Sequence, residues 1–356
     1  MSTTVSASTA PPSLGEIARR VESRMDELLA GEFERWRRID PQLEAPFTAL
    51  RELVLAGGKR LRPAFCHWAY VGSGGDPLDP QVIDAGVALE LLHTFALIHD
   101  DIMDGSATRR TMDTIHVTFE RLHGQESWRG EGRRFGEGVG ILVGDLAFVY
   151  ADRMLAGAPS DALDIFTELR LEVNVGQYLD LVGTARGQVD EESARRICSF
   201  KSGKYTIERP LHLGAALAGE LEPRRAALSA YGLPLGEAFQ LRDDLLGVFG
   251  DSDVTGKPVG EDVREGKPTI LFAFATRLAG AGSQSVLSRY GAPDVTAEEI
   301  AALQQLFADS GAVAMVEARI DDLVAQAVGA LGDVKLEPQA VTALTELAYY
   351  VAGRDH

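Results

Sequence analysis

The stretch LELLHTFALIHDDIMD, residues 89–104, gives the strongest indication of how this chain folds. It is apolar almost to its end, and with the apolar residues before it the pattern predicts a long buried helix over 80–103. Asp100 and Asp104 are four residues apart, so they share one helix face about 6 Å apart along the axis. Two carboxylates so placed repel each other unless a cation lies between them. We therefore expect this helix end to line a cavity that binds a cation.

A second acidic cluster repeats this layout further along the chain. FQLRDD, residues 239–244, again ends an apolar helix in carboxylates, here Asp243 and Asp244. Adjacent aspartates alone are typical of a solvated helix end, but the repetition favours a paired site. Carboxylate oxygens are hard ligands that suit Mg²⁺, which is commonly shared between protein carboxylates and substrate phosphates.

Basic residues accompany the two clusters. GGKRLRP, residues 57–63, follows a glycine turn with Lys59 and Arg62, which are three residues apart and can converge on one anion. His93 lies seven residues before Asp100, so it shares roughly the same face of the predicted helix. Each of these side chains could instead be an ordinary surface or core residue. Carboxylates with cations nearby suit a site that grips a diphosphate through divalent metal.

Composition narrows the class of protein. The chain has 356 residues, of which 45% are hydrophobic, enough for one or two ordinary domains. Its formal net charge of −18 argues against a nucleic-acid partner, because phosphate backbones need a basic surface. Its cysteines, Cys66 and Cys198, form no CxxC pair, so we expect both to be buried and neither to bind metal. With no apolar run of about eighteen residues, we expect no transmembrane segment and a cytoplasmic protein.

Helical periodicity runs through most of the chain. The first 14 residues are rich in Ser, Thr and Pro and predict a disordered tail, followed by one domain over 15–356. The glycine-rich residues 124–138 predict a surface loop. No run shows the clear period of two that strands need, so the sequence predicts an all-α fold, a single large helical bundle. The predicted helices cover residues 13–37, 46–56, 61–71, 80–103, 139–156, 161–183, 191–208, 211–219, 223–231, 233–248, 269–279, 297–309, 312–331 and 337–352.

Together these segments resemble the trans-isoprenyl diphosphate synthases of the polyprenyl synthetase family. The resemblance covers roughly residues 15–350 and rests on several motifs in a fixed order. It implies an all-α bundle of the isoprenoid synthase type with a central active-site cavity, most like a bacterial geranylgeranyl diphosphate synthase. The motifs are GGKRLRP at 57–63, LLHTFALIHDDIMD at 91–104, Arg109-Arg110, Gly144-Asp145, Lys201-Ser202-Gly203, FQLRDD at 239–244 and GKPVGEDVREGKPT at 256–269.

The resemblance also implies a role for each matching residue. About three Mg²⁺ ions in each site would be held by Asp100, Asp104, Asp243 and Asp244. The allylic diphosphate would be neutralised by Arg109, Lys201, Lys257 and Lys267. The diphosphate of isopentenyl diphosphate would be bound by Lys59, Arg62, His93 and Arg110. Gln240 would line the site near the reacting centre, so the implied catalytic set is Asp100, Asp104, Asp243, Lys201 and Gln240.

The chain departs from the family pattern at two places. The second acidic motif often reads DDxxD, and here Gly247 replaces the third carboxylate, with Asp251 as the candidate substitute. After Arg109-Arg110, residues 111–113 replace the usual Gly-x-Pro, a change that falls in a loop. The first departure leaves the number of metal ions open, and neither bears on the fold.

Two residues before the first cluster bear on product length. Phe95 is five residues before Asp100 and Ala96 is four before it. In similar synthases an aromatic residue followed by a small one at these places goes with a twenty-carbon product. We therefore expect geranylgeranyl diphosphate, made from isopentenyl diphosphate and allylic diphosphates. The resemblance also implies a homodimer, which apolar helices such as 139–156 could join.

Other functions remain open on the sequence alone. A terpene cyclase of related all-α architecture would need no second diphosphate site, and Lys59, Arg62 and Arg110 argue against it. A non-catalytic subunit that modulates another prenyl synthase is disfavoured by the intact DDIMD and favoured by the change at Gly247. The product could also be farnesyl diphosphate or a longer chain.

Overall fold

Helices pack against helices throughout the molecule. The structure, a computed structural model, describes residues 10–109, 111–186, 190–250 and 260–353. The α-helices are α1 Pro12–Arg37, α2 Glu44–Leu55, α3 Leu61–Gly72, α4 Pro80–Asp104, α5 Ile115–Gln125, α6 Gly132–Met154, α7 Ser160–Arg186, α8 Glu191–Ile197, α9 Arg209–Leu217, α10 Leu221–Phe249, α11 Glu261–Glu265, α12 Ile270–Leu278, α13 Gln284–Leu287, α14 Ala297–Asp309, α15 Ala312–Ala330 and α16 Pro338–Ala352. The predicted all-α class is confirmed.

Other regular structure is short. A π-helical segment, Cys198–Glu208, connects α8 to α9, and single 3₁₀ turns occupy Pro41–Leu43, Ala281–Ser283 and Leu331–Asp333. In the described ranges the strands are two residues each, β1 Thr108–Arg109 and β2 Met112–Asp113, paired antiparallel. Long π-helical segments are rare and are frequently found at functional sites.

The helix α4 confirms the central prediction from its apolar sequence. Asp79 caps its start by accepting a hydrogen bond from the Gln81 N–H at 2.8 Å, and Gly105 ends it with a left-handed backbone, φ 67°. It packs against α3 and α6, with Leu91 and Leu92 fully buried. Among the described residues α4 is the one helix whose length and composition would allow it to cross a membrane, yet 67% of that apolar window is buried inside the protein. Such burial is typical of a core helix.

The helix α10 is continuous where the sequence predicted two helices, 223–231 and 233–248, so the predicted break is wrong. Pro234 lies inside it and removes a backbone hydrogen bond, a loss of about 3 kcal/mol in an isolated helix. Tertiary packing overrides that loss. Gly236 lies so close to Gly203 of the π-helical segment that a Cβ on Gly236 would come within 2.7 Å of Gly203 Cα. This contact lets the two elements cross closely and brings residues from both to one cavity.

The stretch 124–138 is only partly the surface loop that the sequence predicted. The helix α5 reaches Gln125 and α6 begins at Gly132, so the second half is helical. Gly136 packs so close to α5 that a Cβ there would lie 2.1 Å from the His116 carbonyl oxygen. Gly136 therefore permits two helices to pack closely. The sequence pattern alone does not distinguish a glycine with this role from a glycine in a flexible loop.

The chain enters the core earlier than the sequence predicted. The helix α1 starts at Pro12, and proline is favoured in the first turn of a helix. The predicted tail over 1–14 is therefore wrong for residues 12–14, while residues 1–9 lie outside the described residues. From α1 to α16 the buried apolar side chains form one continuous cluster. Cys66 and Cys198 belong to it, and both are buried and free, as predicted.

Candidate active site

One cavity of about 600 Å³ lies among α3, α4, α7, α10, α11 and the π-helical segment. It is the central cavity that the sequence predicted. Of the predicted site residues, its lining contains Lys59, Arg62, His93, Ala96, Asp100, Lys201, Gln240, Asp243, Asp244 and Lys267. Asp104 and Arg109 adjoin this lining through ion pairs. The other predicted groups, Arg110, Lys257 and the candidate substitute Asp251, lie outside the described residues.

Asp100 lies in the cavity wall among donors and cations. Gln177 Nε2 donates to Asp100 Oδ1 at 2.8 Å, and Lys201 Nζ lies 3.2 Å from the same oxygen. Burial alone would raise the pKa of Asp100, but Lys201, Lys267 and Arg109 lower it to about 2. Asp100 is therefore ionised at neutral pH, as a metal ligand must be.

The other aspartates of the first cluster have different surroundings. Burial, together with the charge of Asp100, raises the pKa of Asp104, although Lys267 Nζ lies 3.3 Å from Asp104 Oδ2. Asp101 is 3% exposed and accepts hydrogen bonds from Arg109 Nη2 at 2.6 Å and from Arg109 Nε at 2.9 Å. These bonds hold Arg109 beside Asp100, 3.8 Å away. Asp101 thus positions a cation, while Asp100 and Asp104 share the face that could hold metal.

The second cluster concentrates negative charge. Asp244 is 3% exposed and accepts a hydrogen bond from Gln240 Nε2 at 2.8 Å. Burial raises the pKa of Asp244 to about 8, and the nearby Asp262 and Asp243 add to the rise. A divalent cation would remove this repulsion. The carboxylates present therefore fit Mg²⁺, whose preferred ligands are hard oxygens.

Gly247 stands one turn after Asp243, where the family pattern often has a third aspartate. The carboxylate of Asp262, from the first turn of α11, lies over this glycine. A Cβ on Gly247 would be 2.0 Å from Asp262 Oδ2. The Asp262 carboxylate therefore lies against the backbone of α10 at Gly247.

Side chains that can donate hydrogen bonds lie close together where α3 meets the π-helical segment. Arg62 Nη2 donates to Thr206 Oγ1 at 3.0 Å, and the Arg62 guanidinium lies over the Tyr205 ring, 4.3 Å from its centroid. Arg62 Nε is buried and has no hydrogen-bond partner among the described residues. A buried guanidinium nitrogen of this kind fits a diphosphate oxygen as its partner. Lys59 and His93 line the same cavity.

Sequence reasoning missed two polar residues of α7. Asp180 is 6% exposed and pairs with Lys201 Nζ at 2.6 Å, while Gln177 binds Asp100. Their spacing of three on a predicted helix was the available signal, but it is common on surface helices. Gly176 lets α7 reach this position, because a Cβ there would lie only 2.4 Å from the Lys201 backbone nitrogen.

The two residues predicted to set product length occupy different places. Ala96 lines the cavity. Phe95 packs against His99 and against Phe148 of α6, with ring centroids 4.5 and 4.8 Å apart. The cavity lining does not include Phe95, whose ring packs towards α6 instead.

The fold and the site define an all-α protein whose cavity suits a diphosphate held by metal and cations. A family model described as polyprenyl synthetase matches residues 44–307, and the chain belongs to this family. It is a trans-prenyltransferase, as its motifs predicted. The family depends on magnesium and uses isopentenyl diphosphate with allylic diphosphates.

Known relatives share this chemistry and differ in the product that their names state. The chain is 31% identical over 312 residues to the geranylfarnesyl diphosphate synthase of Aeropyrum pernix, covering 85% of this chain and 92% of that protein. It is 31% identical over 298 residues to a geranylgeranyl diphosphate synthase of Mycobacterium tuberculosis, covering 82% and 79%. A solved structure of geranylgeranyl pyrophosphate synthase from Corynebacterium glutamicum, complexed with isoprenyl diphosphate and magnesium, matches with a TM-score of 0.89 and 36% identity, covering 95% of this chain and 99% of that chain.

Proposed function

We propose that this protein condenses isopentenyl diphosphate with allylic diphosphates and releases geranylgeranyl diphosphate. The observation that carries the proposal is one cavity that gathers Asp100, Asp243, Lys201 and Arg62. Carboxylates and lysines suit one metal-bound diphosphate, and the Arg62 side suits a second diphosphate. A place for two diphosphates supports elongation over cyclisation, which would need only one.

The allylic diphosphate is activated by charge in a buried setting. Burial would lower the pKa of Lys201, but Asp100 and Asp180 raise it, so the ammonium stays charged. Lys201 and Lys267 then hold the diphosphate as its bond to the allylic carbon breaks. Mg²⁺, when bound, neutralises the charge that develops on this leaving group.

Carbon–carbon bond formation follows from positioning. Arg62, with Lys59 and His93, holds isopentenyl diphosphate so that its double bond attacks the allylic cation. A proton then leaves the new chain, and the departed diphosphate beside Lys201 accepts it. Apolar wall residues such as Val173 exclude water, which would otherwise quench the cation.

Product sizing tests this proposal. The purified protein is incubated with Mg²⁺, labelled isopentenyl diphosphate and each allylic starter in turn, and the dephosphorylated products are separated by chain length. We expect Mg²⁺-dependent incorporation and a twenty-carbon product. The exposed Asp321→Asn on α15 serves as the control. No incorporation with any starter would reject catalysis and favour a modulatory subunit.

Product length is proposed to depend on Ala96, which lines the cavity, and on its neighbour Phe95, which packs against Phe148 of α6. Ala96→Phe fills the cavity and should shorten the product. Phe95→Ala weakens the packing against Phe148 and should lengthen it. An unchanged twenty-carbon product in both variants, with only a loss of stability, would make Phe95 and Ala96 ordinary core residues.

We also propose a homodimer that packs through α6 and α7. Arg170 of α7 pairs with Asp152 of α6 at 2.6 Å, so the two helices approach each other at this point. They expose apolar side chains, which a second copy would bury. These are Ile141, Leu142, Val149, Leu171, Val175 and Tyr178, between 45% and 67% exposed. Light scattering should give twice the chain mass of 38.3 kDa, and a mass of 38.3 kDa across micromolar concentrations would contradict the dimer.

A cytoplasmic location is part of the proposal. The formal net charge of −18 and the burial of α4 inside the protein support it. Fractionation of cells should leave the protein with the cytoplasmic enzymes after the membranes are removed.

A further inference from the structure

A buried arginine marks the turn that leads into α3. Arg60 is 5% exposed and has a left-handed backbone, φ 48°, which is strained for a residue with a Cβ. Gly57 and Gly58, just before it, also have positive φ angles, 93° and 153°. The Arg60 carbonyl oxygen accepts a hydrogen bond from the Ala64 N–H at 3.2 Å, the first bond of the helix. The backbone of Arg60 therefore sets where α3 begins, and with it the position of Arg62.

The guanidinium of Arg60 binds three other helices. Its Nη1 donates to Glu90 of α4 at 2.6 Å, and its Nη2 donates to the Val54 carbonyl oxygen of α2 at 2.7 Å. Its Nε donates to Glu22 of α1 at 3.0 Å. A strained backbone persists only where the surrounding structure holds it. These three bonds supply that support, so one side chain fixes the turn against α1, α2 and α4.

The ion pair of Arg60 with Glu90 is part of the cavity wall. Both residues line the cavity. Burial would lower the pKa of Arg60, but the carboxylates that it pairs with raise it, so the guanidinium stays charged. Each of its three nitrogens already donates to a protein acceptor, and the Glu90 carboxylate beside it would repel a diphosphate. Arg60 is therefore arranged to hold its neighbours and not to bind a diphosphate itself.

We propose that Arg60 is the positioning residue for the isopentenyl diphosphate side of the cavity. It lies in the chain between Lys59 and Arg62, so its bonds fix the turn from which both side chains extend. Its partner Glu90 lies three residues before His93 on α4, so the same ion pair also sets the distance between the turn and this part of α4. The inference rests on the proposed function, since it takes isopentenyl diphosphate to be a ligand of this cavity.

The allylic side of the cavity depends on other parts of the chain. Asp100 follows Glu90 by ten residues on α4, about 15 Å along the helix axis. The cations on that side, Lys201 and Lys267, come from the π-helical segment and from the chain after α11. Loss of the Arg60 bonds should therefore disturb one substrate much more than the other.

A paired substitution tests this role without leaving a buried charge alone. Arg60→Met with Glu90→Gln removes both charges. The matched control is Arg24→Met with Asp84→Asn, which removes an ion pair of 2.7 Å that also joins α1 to α4. Neither control residue belongs to the cavity lining that the structure describes. Calorimetry gives the Kd for isopentenyl diphosphate without turnover, and steady-state kinetics gives the KM for each substrate.

The expected result is a selective loss of isopentenyl diphosphate binding. In the Arg60 double variant, the Kd and KM for isopentenyl diphosphate should rise about tenfold, while the KM for the allylic substrate changes by less than about twofold. The control should change each constant by less than about twofold. Arg60→Lys keeps a cation beside Glu90 but not the fork that reaches three helices, so its KM for isopentenyl diphosphate should rise by about threefold.

The outcomes separate this role from the proposed function. Equal changes in both KM values, an unchanged KM for isopentenyl diphosphate, or the same selective rise in the control would overturn the role. If the Arg60 double variant does not fold, Arg60→Lys decides the question by the same comparison of the two KM values. A wild-type protein that neither binds isopentenyl diphosphate nor turns it over would overturn the proposed function, and the role of Arg60 with it.

Discussion

The two acidic clusters lie at the ends of similar apolar helices, yet their electrostatic surroundings are opposite. Around the first, Lys201 and Lys267 outweigh burial and hold the pKa of Asp100 at about 2. Around the second, burial and the neighbouring Asp262 raise the pKa of Asp244 to about 8. The same sequence pattern therefore ends in a cation-rich site on α4 and in a carboxylate-rich site on α10.

The contrast separates two tasks. The first cluster already has cations that a diphosphate can share, so it suits the binding of the allylic leaving group. The groups that shift the pKa of Asp244 include no cation, so the second cluster suits the binding of metal.

Loss of a first-cluster carboxylate should have the largest effect. Asp100→Ala or Asp104→Ala should lower turnover by about 10³ or more, because charge stabilisation in a dry site is worth several kcal/mol. Thermal unfolding should show that both variants fold. Rates near wild type in either variant would remove the first cluster from the metal site.

Loss of a first-cluster cation should cost less. Lys201→Met should lower turnover about 10²-fold and raise the KM for the allylic substrate more than that for isopentenyl diphosphate. Lys204→Met, on the same π-helical segment but paired with Glu172 at 2.6 Å, is the matched control. If the two lysine variants behave alike, the effect belongs to the segment and not to the cation at Asp100.

Metal should also bind through the second cluster. Mg²⁺ with inorganic diphosphate at about 100 times the Kd should stabilise the wild type by about 2.7 kcal/mol. Chelation by EDTA should reverse the effect. Asp243→Asn should lose most of this stabilisation, while the exposed Asp322→Asn on α15 should keep it. A full response in Asp243→Asn would contradict the recruitment of metal by α10.

Without metal, Asp100 and Asp244 should respond to neutralisation with opposite signs. Asp100, whose folded pKa is lowered, stabilises the fold above its unfolded pKa and loses that contribution as pH falls toward 2. Asp244, whose folded pKa is raised to about 8, destabilises the fold as pH rises from its unfolded pKa toward 8. At pH 7 in EDTA, Asp100→Asn should therefore lower Tm and Asp244→Asn raise it, each by about 2–4 °C. Shifts of the same sign would contradict the comparison.

The parts of the fold that follow local patterns could be predicted from the sequence. The apolar run of α4 and the aspartates at its end indicate the helix, its burial and the proposed metal-ligand face in one segment. FQLRDD on α10 shows the same pattern. The predicted break at Gly232 was wrong because the contact between Gly236 and Gly203, which holds one continuous α10 against the π-helical segment, is not visible locally.

The missed site residues come from contacts between distant segments. Asp180 and Gln177 lie on a helix whose spacing resembles an ordinary surface pattern, and they face the site because Gly176 lets α7 reach the Lys201 backbone. Asp262 sits over Gly247 although the two are fifteen residues apart and on different helices.

Crystals grown with Mn²⁺, isopentenyl diphosphate and a non-reactive allylic diphosphate analogue would test the central claim most directly. Anomalous scattering locates the metal ions independently of the surrounding model. The account predicts metal in contact with the carboxylates of Asp100 and Asp104 and further metal in contact with Asp243, all bound to one allylic diphosphate, with the second diphosphate against Arg62. Metal at one cluster only, or an allylic diphosphate that no α10-bound metal touches, would contradict it.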